Sequence, residues 1–351
     1  MPTTGTRIEV RGRLGELAPE WDACLDDGPL PSPFLRSWWL DALAGADARI
    51  VCVHGPEGLI GGLALQQDRV LGTSRLRALG RELTPDHIDL VARRGAEDLV
   101  GSALSAWCSR PGRRIFDLEG VAAGARVLGV LPAPTRIDVE TIARFERLPA
   151  RIDMYLAHRR RSTGTYLGQA QRRLGREGTR TRRVPLEEMD RALDDLRRLH
   201  GLAFGDRSQF LPHFERFRVA ARAGVPSGEF RCYEARMPDG VVAIDAWTLV
   251  AGRASILQRG RSPAREVRGV GWVVLAAGLA DLIDDGAREF DILRGTDAWK
   301  SDWADGSRTL VRVRAGSGPG SAAVQNALRA RARLLRTLSH EPVRTGPADV
   351  S

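Results

Sequence analysis

Lysine is almost missing from this chain: Lys300 is the only one in 351 residues, although lysine and arginine together number 53. Arginine serves nearly everywhere a cation is needed, so its abundance by itself is weak evidence for phosphate binding. Tyrosine is scarce too, with Tyr155, Tyr166 and Tyr233 alone, which leaves few phenols to act as an acid. The four cysteines, Cys24, Cys52, Cys108 and Cys232, are far apart and form no C-x-x-C pair. That speaks against a disulfide framework or a zinc site and for buried, inert thiols. His87, His158, His200 and His213 have no metal-ligand spacing, so no metal is expected. No serine or cysteine lies on a G-x-S-x-G elbow, and a hydrolase triad finds no support. The first ten residues hold neither an apolar core nor a cleavage pattern, and no apolar run nears the ~20 residues that cross a bilayer. The longest such run, 270–280, is stopped by Asp281. The expectation is a cytoplasmic protein with no transmembrane segment.

What is present fits a globular α/β chain. Hydrophobic residues make up 43% and charged residues 28%, and the length accommodates two domains. The net charge of +9 is concentrated: residues 151–183 hold ten arginines against Asp153 and Glu177. Leu14, Leu17, Trp21 and Leu25 share a helical stripe, and Phe34, Trp38 and Ala42 mark a second. Short apolar runs bounded by glycine predict strands at 49–54, 59–65, 75–79 and 87–92. A helix over 97–109 and a strand over 114–118 follow. A linker rich in proline and alanine covers 122–134, and the next strand is expected at 142–148. After the basic segment, two stripes predict helices: Leu186, Met189, Leu193, Leu196 and Leu199, then Leu211, Phe214, Phe217 and Ala221. Strands are expected at 229–236, 241–250 and 253–259, with Pro238-Asp239-Gly240 as a hairpin turn. A helix over 271–285 and strands at 289–293 and 309–314 complete the set. Residues 316–320 form a glycine-rich joint, and 322–338 reads as a basic amphipathic helix.

The order strand, helix, strand occurs twice. It ends once in Phe116-Asp117-Leu118-Glu119-Gly120 and once in Phe290-Asp291-Ile292-Leu293-Arg294-Gly295. Two similar units in tandem are the simplest reading: 1–150, 151–320, and a basic tail at 321–351. The turn before the second unit's helix is Arg265-Glu266-Val267-Arg268-Gly269-Val270-Gly271-Trp272. Glycines there let a backbone approach an anion, and the first free N–H groups and dipole of the helix favour a pyrophosphate. Arg265 and Arg268 would add charge-assisted hydrogen bonds. The first unit has Arg94-Gly95-Ala96-Glu97 at the same place, where a carboxylate repels phosphate. A donor carrying phosphates belongs in the second unit.

The stretch 290–303, Phe-Asp-Ile-Leu-Arg-Gly-Thr-Asp-Ala-Trp-Lys-Ser-Asp-Trp, resembles the closing motif of the BioF2-like, cellulose-biosynthesis-associated branch of the GNAT acyltransferase superfamily. In that motif Trp299 replaces the usual aromatic. Arg172-Arg173-Leu174 with Gly178, and Leu199-His200 with Phe204 and Gly205, are similar to two further elements of that branch. The likeness spans about 21–314. It implies two tandem GNAT-like domains, each a mixed, mostly antiparallel sheet flanked by helices. It also implies transfer of an acyl group from acyl-CoA to an amine of a small or envelope-related polar acceptor, a small molecule or a saccharide. A related branch, similar to the Fem enzymes, takes aminoacyl-tRNA instead. In GNAT folds a Q/R-x-x-G-x-G/A turn holds the CoA pyrophosphate; Gly269 and Gly271 match its glycines, and Glu266 stands at the Q/R position. The donor site implied is Arg265, Arg268, Gly269, Val270, Gly271 and Trp272.

Amine acylation needs a proton acceptor and a donor to the oxyanion. Asp245, inside an apolar strand, is the candidate base, because burial raises a carboxylate's pKa. Gln258 and Arg259 end the strand before the glycine turn, where they would face a donor crevice and one of them would orient the acceptor. Lys300, between Trp299 and Trp303, would bind a substrate carboxylate or phosphate. Asp291, Arg294 and Trp303 complete the expected substrate contacts, Asp291 as an anchor for Arg294 or Lys300. The residue that protonates the leaving group stays unassigned. The basic segment reads as a solvated helix face, as a contact for tRNA phosphates, or as a surface for an anionic polymer or membrane. Three functions remain open: an acyl-CoA N-acyltransferase, an aminoacyl-tRNA-dependent transferase, and a non-catalytic scaffold.

Overall fold

The computed structural model describes residues 5–317 and positions 323, 324, 326, 327 and 330. In chain order the elements are β1 (Arg7–Arg11), α1 (Ala18–Asp26), α2 (Ser37–Leu43), β2 (Ala48–Gly55), β3 (Gly58–Val70), β4 (Thr73–Ala78), β5 (Val91–Ala92), α3 (Glu97–Cys108), β6 (Arg114–Ala122) and β7 (Thr135–Arg147). The second half continues with α4 (Ile152–Ala157), α5 (Arg161–Arg176), β8 (Arg180–Arg183), α6 (Met189–Phe204), α7 (Phe214–Gly224), β9 (Phe230–Met237), β10 (Gly240–Val250) and β11 (Arg253–Arg261). It closes with α8 (Val270–Asp284), β12 (Glu289–Arg294), α9 (Ala298–Trp303) and β13 (Gly306–Ser317). No helix among the described residues is long and apolar enough to cross a membrane.

The thirteen strands of the described residues join one mixed sheet, in the order β1-β2-β3-β4-β6-β13-β7-β12-β11-β10-β9-β8, with β5 on β3. Only β4 with β6 and β11 with β12 run parallel; the remaining pairs are antiparallel. The tandem order is therefore visible in the topology. Ser74–Leu76 pair with Arg114–Phe116 around the crossover helix α3, and Arg253–Ser255 pair with Glu289–Asp291 around α8. The halves are stitched by an exchange: β13, late in the chain, pairs with β6, and β7, from before residue 150, pairs with both β12 and β13.

Side chains of β9–β11 alternate between two cores, as the period of two requires. Tyr233, Ala243, Trp247 and Ile256 pack with α8, α5 and α4 on one face. Cys232, Ile244, Ala246 and Leu257 pack with α6 and α7 on the other. Helix α8 is apolar on nearly all sides because it lies under the sheet, and Val274, Leu275, Leu279 and Leu282 are fully buried. Each contributes about 1.5–3 kcal/mol through burial. Gly278 allows the close approach of helix to sheet: a Cβ there would stand 2.9 Å from the Tyr233 ring.

Several expectations are corrected. The strand expected at 87–92 shrinks to Val91–Ala92, because His87 takes a left-handed backbone (φ +56°) and turns its ring into the core. Strand β7 begins at Thr135, directly after the Pro/Ala-rich segment, not at 142. Strands β1 and β8 are rich in charge and short, so they carried no apolar alternation to read; both are at the ends of the sheet. The joint at 316–320 opens within β13, whose last two residues are Gly316 and Ser317. Beyond the five positions named above, the tail helix expected at 322–338 lies outside the described residues.

Candidate active site

The parallel pair β11–β12 holds together for three residues and then parts. Its register ends at Ser255 and Asp291, while β11 runs on to Arg261 and β12 to Arg294. Two irregularities drive the separation. Leu257 is an extra residue in β11, since Ala246 pairs with Gln258 and Trp247 with Ile256. On β12 the register against β7 slips between Asp291 and Leu293, and Leu293 has φ +57°. Bulges bend strands and end pairing, which is what opens the sheet here. A cavity of about 400 Å³ occupies the gap, lined by Ile256 to Arg261 from β11, Ile292 to Arg294 from β12, and Gly271 and Trp272 of α8.

Helix α8 starts at this gap. Its N-cap, Gly269, has φ +84°, a conformation that favours glycine. The N–H groups of Trp272 and Val273 turn back to the Gly269 carbonyl at 3.0 and 3.3 Å, and those of Val270 and Gly271 have no partner among the described residues. Arg173 of α5 donates to the carbonyl of Glu266 at 2.5 Å and to that of Arg268. It thus masks the two carbonyls that would oppose an anion at this turn. A Cβ on Gly271 would meet ordinary contacts, 3.6 Å from Arg259 and Arg261, and Gly271 itself lines the cavity. The side chains of Arg265 and Arg268 are exposed on the same turn.

The expected site residues separate into two groups. Gln258 lines the cavity, and its amide makes no hydrogen bond among the described residues. Arg259 lines it as well, donating to both oxygens of Asp245 (2.8 and 3.0 Å) and to the Gly271 carbonyl, with its guanidinium 4.8 Å from the Trp299 ring centre. Asp245 forms the floor. Burial raises its pKa and Arg259 opposes the rise. With both oxygens held, Asp245 positions Arg259 and is poorly placed to take a proton. Lys300 is buried at the wall, and its ammonium donates to the carbonyls of Ile292 (3.2 Å), Leu293 (3.4 Å) and Arg294. Burial lowers its pKa. Its donors are spent on the end of β12, not on a substrate.

Arg294 reaches into the first half, with its backbone N–H and Nε on the Asp86 carboxylate (2.7 and 2.5 Å) and Nη2 on the Pro85 carbonyl (3.0 Å). Two expected contacts lie away from the cavity. Asp291 is wholly buried between Arg253 and His87 (2.8 Å) and accepts from Leu293 N–H, so it anchors neither Arg294 nor Lys300. Trp303 is wholly buried against Tyr155 and Trp272.

The matching gap in the first half is closed. Beyond Leu76 and Phe116 it holds Pro85, the Arg294 side chain and Arg77, and a space of only about 10 Å³ remains.

Other residues of the cavity were not among the expected site residues. His200 of α6 has Nδ1 3.0 Å from the Arg259 carbonyl and Nε2 2.9 Å from Ser208 Oγ. The first contact requires Nδ1–H to donate, so Nε2 accepts the Ser208 proton; burial lowers its pKa and keeps it neutral. Phe34, Trp39 and Asp86 arrive from the first half, and Asp297 from the N-cap of α9. Their sequence distance from β11 hid their place in the site; Phe34 and Phe217 carry only a helical-stripe signal, and His200 and Phe204 only that of the resemblance.

A sequence model described as the acetyltransferase (GNAT) domain matches residues 158–301. No curated protein matches the chain. Among solved structures, FemX is 12% identical, with 84% of this chain and 95% of that one covered and a TM-score of 0.65. A conserved protein of unknown function from Bacteroides thetaiotaomicron is 7% identical, with 88% and 100% covered and a TM-score of 0.62. The C-terminal domain of a putative lysylphosphatidylglycerol synthetase from Agrobacterium fabrum is 14% identical, with 81% and 88% covered and a TM-score of 0.52. At these identities the likeness is one of fold. The chain carries a GNAT acetyltransferase domain over residues 158–301 and is an acyltransferase by that domain, within a fold shared along most of its length with FemX.

Proposed function

We propose that the protein transfers an acyl group from acyl-CoA to an amine, with the donor's pyrophosphate at the start of α8 and its thioester between β11 and β12. The observation that carries this reading is the coincidence of three features: the parting of β11 from β12, the partnerless N–H groups of Val270 and Gly271, and the cavity joining them. Arg265 and Arg268 stand beside that turn for the phosphates, and the Gln258 amide is free to donate to the thioester oxygen as it gains charge. The amine attacks in its neutral form. A C–N bond forms, the C–S bond breaks, and the proton lost by nitrogen ends on the departing thiolate. Isothermal titration with CoA and acetyl-CoA tests the reading. Micromolar binding that Gly271→Trp abolishes supports it, and absence of binding to the unaltered protein refutes it.

A second reading has its own observation. Among the described residues Arg161, Arg172, Arg176 and Arg180 are exposed and form no ion pair, whereas most arginines elsewhere are paired. Such a strip beside the α8 turn suits a polyanion larger than CoA, as in the aminoacyl-tRNA-dependent branch the sequence resembles. Binding of tRNA whose affinity falls steeply with salt, without any response to CoA, would favour it.

A further inference from the structure

The cavity passes through the sheet. Its entrance at Gly271 and Trp272 lies on the α8 face, and its far end is walled by α6, α7 and the first half of the chain. That far end is aromatic: Phe34, Trp39, Phe204, Phe210 and Phe217 line it. His200 belongs to the same wall, with ring centres 4.5 Å from Phe204 and 5.0 Å from Phe210, but both its nitrogens are engaged. For hydroxyl groups the wall offers little, namely the Thr84 hydroxyl and the Trp39 Nε1–H, which is buried without a partner. A saccharide placed there would give up its bonds to water with few replacements.

Three carboxylates line the cavity. Asp86 is held by Arg294 and Asp245 by Arg259. Of these three, only the Asp297 carboxylate accepts no hydrogen bond from the described residues; its side chain is 65% exposed and Lys300 Nζ is 3.9 Å from Oδ2. It is the lining carboxylate held most loosely, with Lys300 paired to Oδ2 and Oδ1 left for a further cation.

Building on the acyltransferase reading, we propose that the acceptor is a primary amine on an apolar, aromatic body. The body lies against the aromatic wall and the ammonium is received by Asp297, where it gives one proton to solvent at that exposed carboxylate before the neutral amine attacks. The acceptor thus meets the donor from the opposite side of the sheet. The wall's apolar chemistry would also suit a long acyl chain, so the test has an arm for each source.

Titrate the full-length protein with tryptamine, phenethylamine, phenethyl alcohol and glucosamine, each with and without saturating CoA, and separately with acetyl-CoA and octanoyl-CoA. The expected result is binding of the two aromatic amines, at least tenfold weaker in Asp297→Asn, kept in Asp297→Glu, and weakened in Phe204→Ala. Phe204 is 46% exposed, so its truncation leaves the core packed. Phenethyl alcohol and glucosamine should bind at least tenfold more weakly than phenethylamine. Failure of both aromatic amines, equal binding by Asp297→Asn, or preference for glucosamine overturns the proposal. So does an octanoyl-CoA preference that Phe204→Ala removes. Binding of CoA is read in the same titrations, so loss of the donor reading and loss of the acceptor proposal give different records.

Discussion

Lys300 holds Leu293 in place. The ammonium lies within 3.4 Å of the Ile292 and Leu293 carbonyls and also binds that of Arg294, and Leu293 is a non-glycine residue with φ +57°. Left-handed backbone at such a residue costs about 1–3 kcal/mol and persists only where its surroundings enforce it. The only lysine of the chain supplies the enforcement, and the result is the turned end of β12 that leaves the gap open.

Lys300→Met should therefore relax the gap as well as destabilise the fold. Three carbonyls lose a charged donor, at about 1–3 kcal/mol for each buried group left unsatisfied. We expect a lower urea midpoint together with weaker CoA binding. Unchanged CoA affinity in a folded Lys300→Met protein would remove Lys300 from the site.

Gln258→Leu should leave CoA affinity within about twofold and lower kcat by roughly 10²–10³, the usual cost of losing one oxyanion donor. Turnover measured by thiol release checks it. A change confined to KM would assign Gln258 to binding instead.

Asp245→Ala leaves Arg259, three-quarters buried, without its carboxylate. Breaking such a pair costs about 3–5 kcal/mol in a full interior, and somewhat less at this partly open position. Denaturant unfolding of Asp245→Ala, Arg259→Met and the double variant measures the coupling. Additive losses would show that the pair does not act as a unit.

The His200 pKa is lowered by burial, so the folded protein takes up this proton less readily than the unfolded chain. Its contribution is complete above the unfolded value of about 6.5 and is lost as pH falls from there through the folded value. Protonation also ends acceptance from Ser208, which ties 205–213 to the wall. Thermal stability should thus fall below about pH 6.5, and His200→Gln should flatten that part of the profile.

Gly278→Val should destabilise by about 1–3 kcal/mol, the usual range for overpacking, because its Cβ would press on the Tyr233 ring. A calorimetric midpoint equal to that of the unaltered protein would show that α8 shifts without cost.

By itself the amino-acid order determined what depends on neighbours in the chain. The stripe of leucines through Leu193, Leu196 and Leu199, the apolar alternation of β9 to β11, and the turn at Gly269 are local patterns, because helices and strands repeat every 3.6 and 2 residues. So was the tandem order, through Phe116-Asp117 and Phe290-Asp291. Tertiary structure alone decided which polar groups are free. Asp245, Asp291 and Asp297 look alike in sequence; their partners, Arg259, Arg253 with His87, and none but a distant Lys300, come from folding. The exchange of β7 and β13, and the arrival of Phe34, Trp39 and Asp86 at a gap in β11–β12, join segments up to about two hundred residues apart. Burial and pairing at that range depend on the packing of the whole sheet, which no local period encodes.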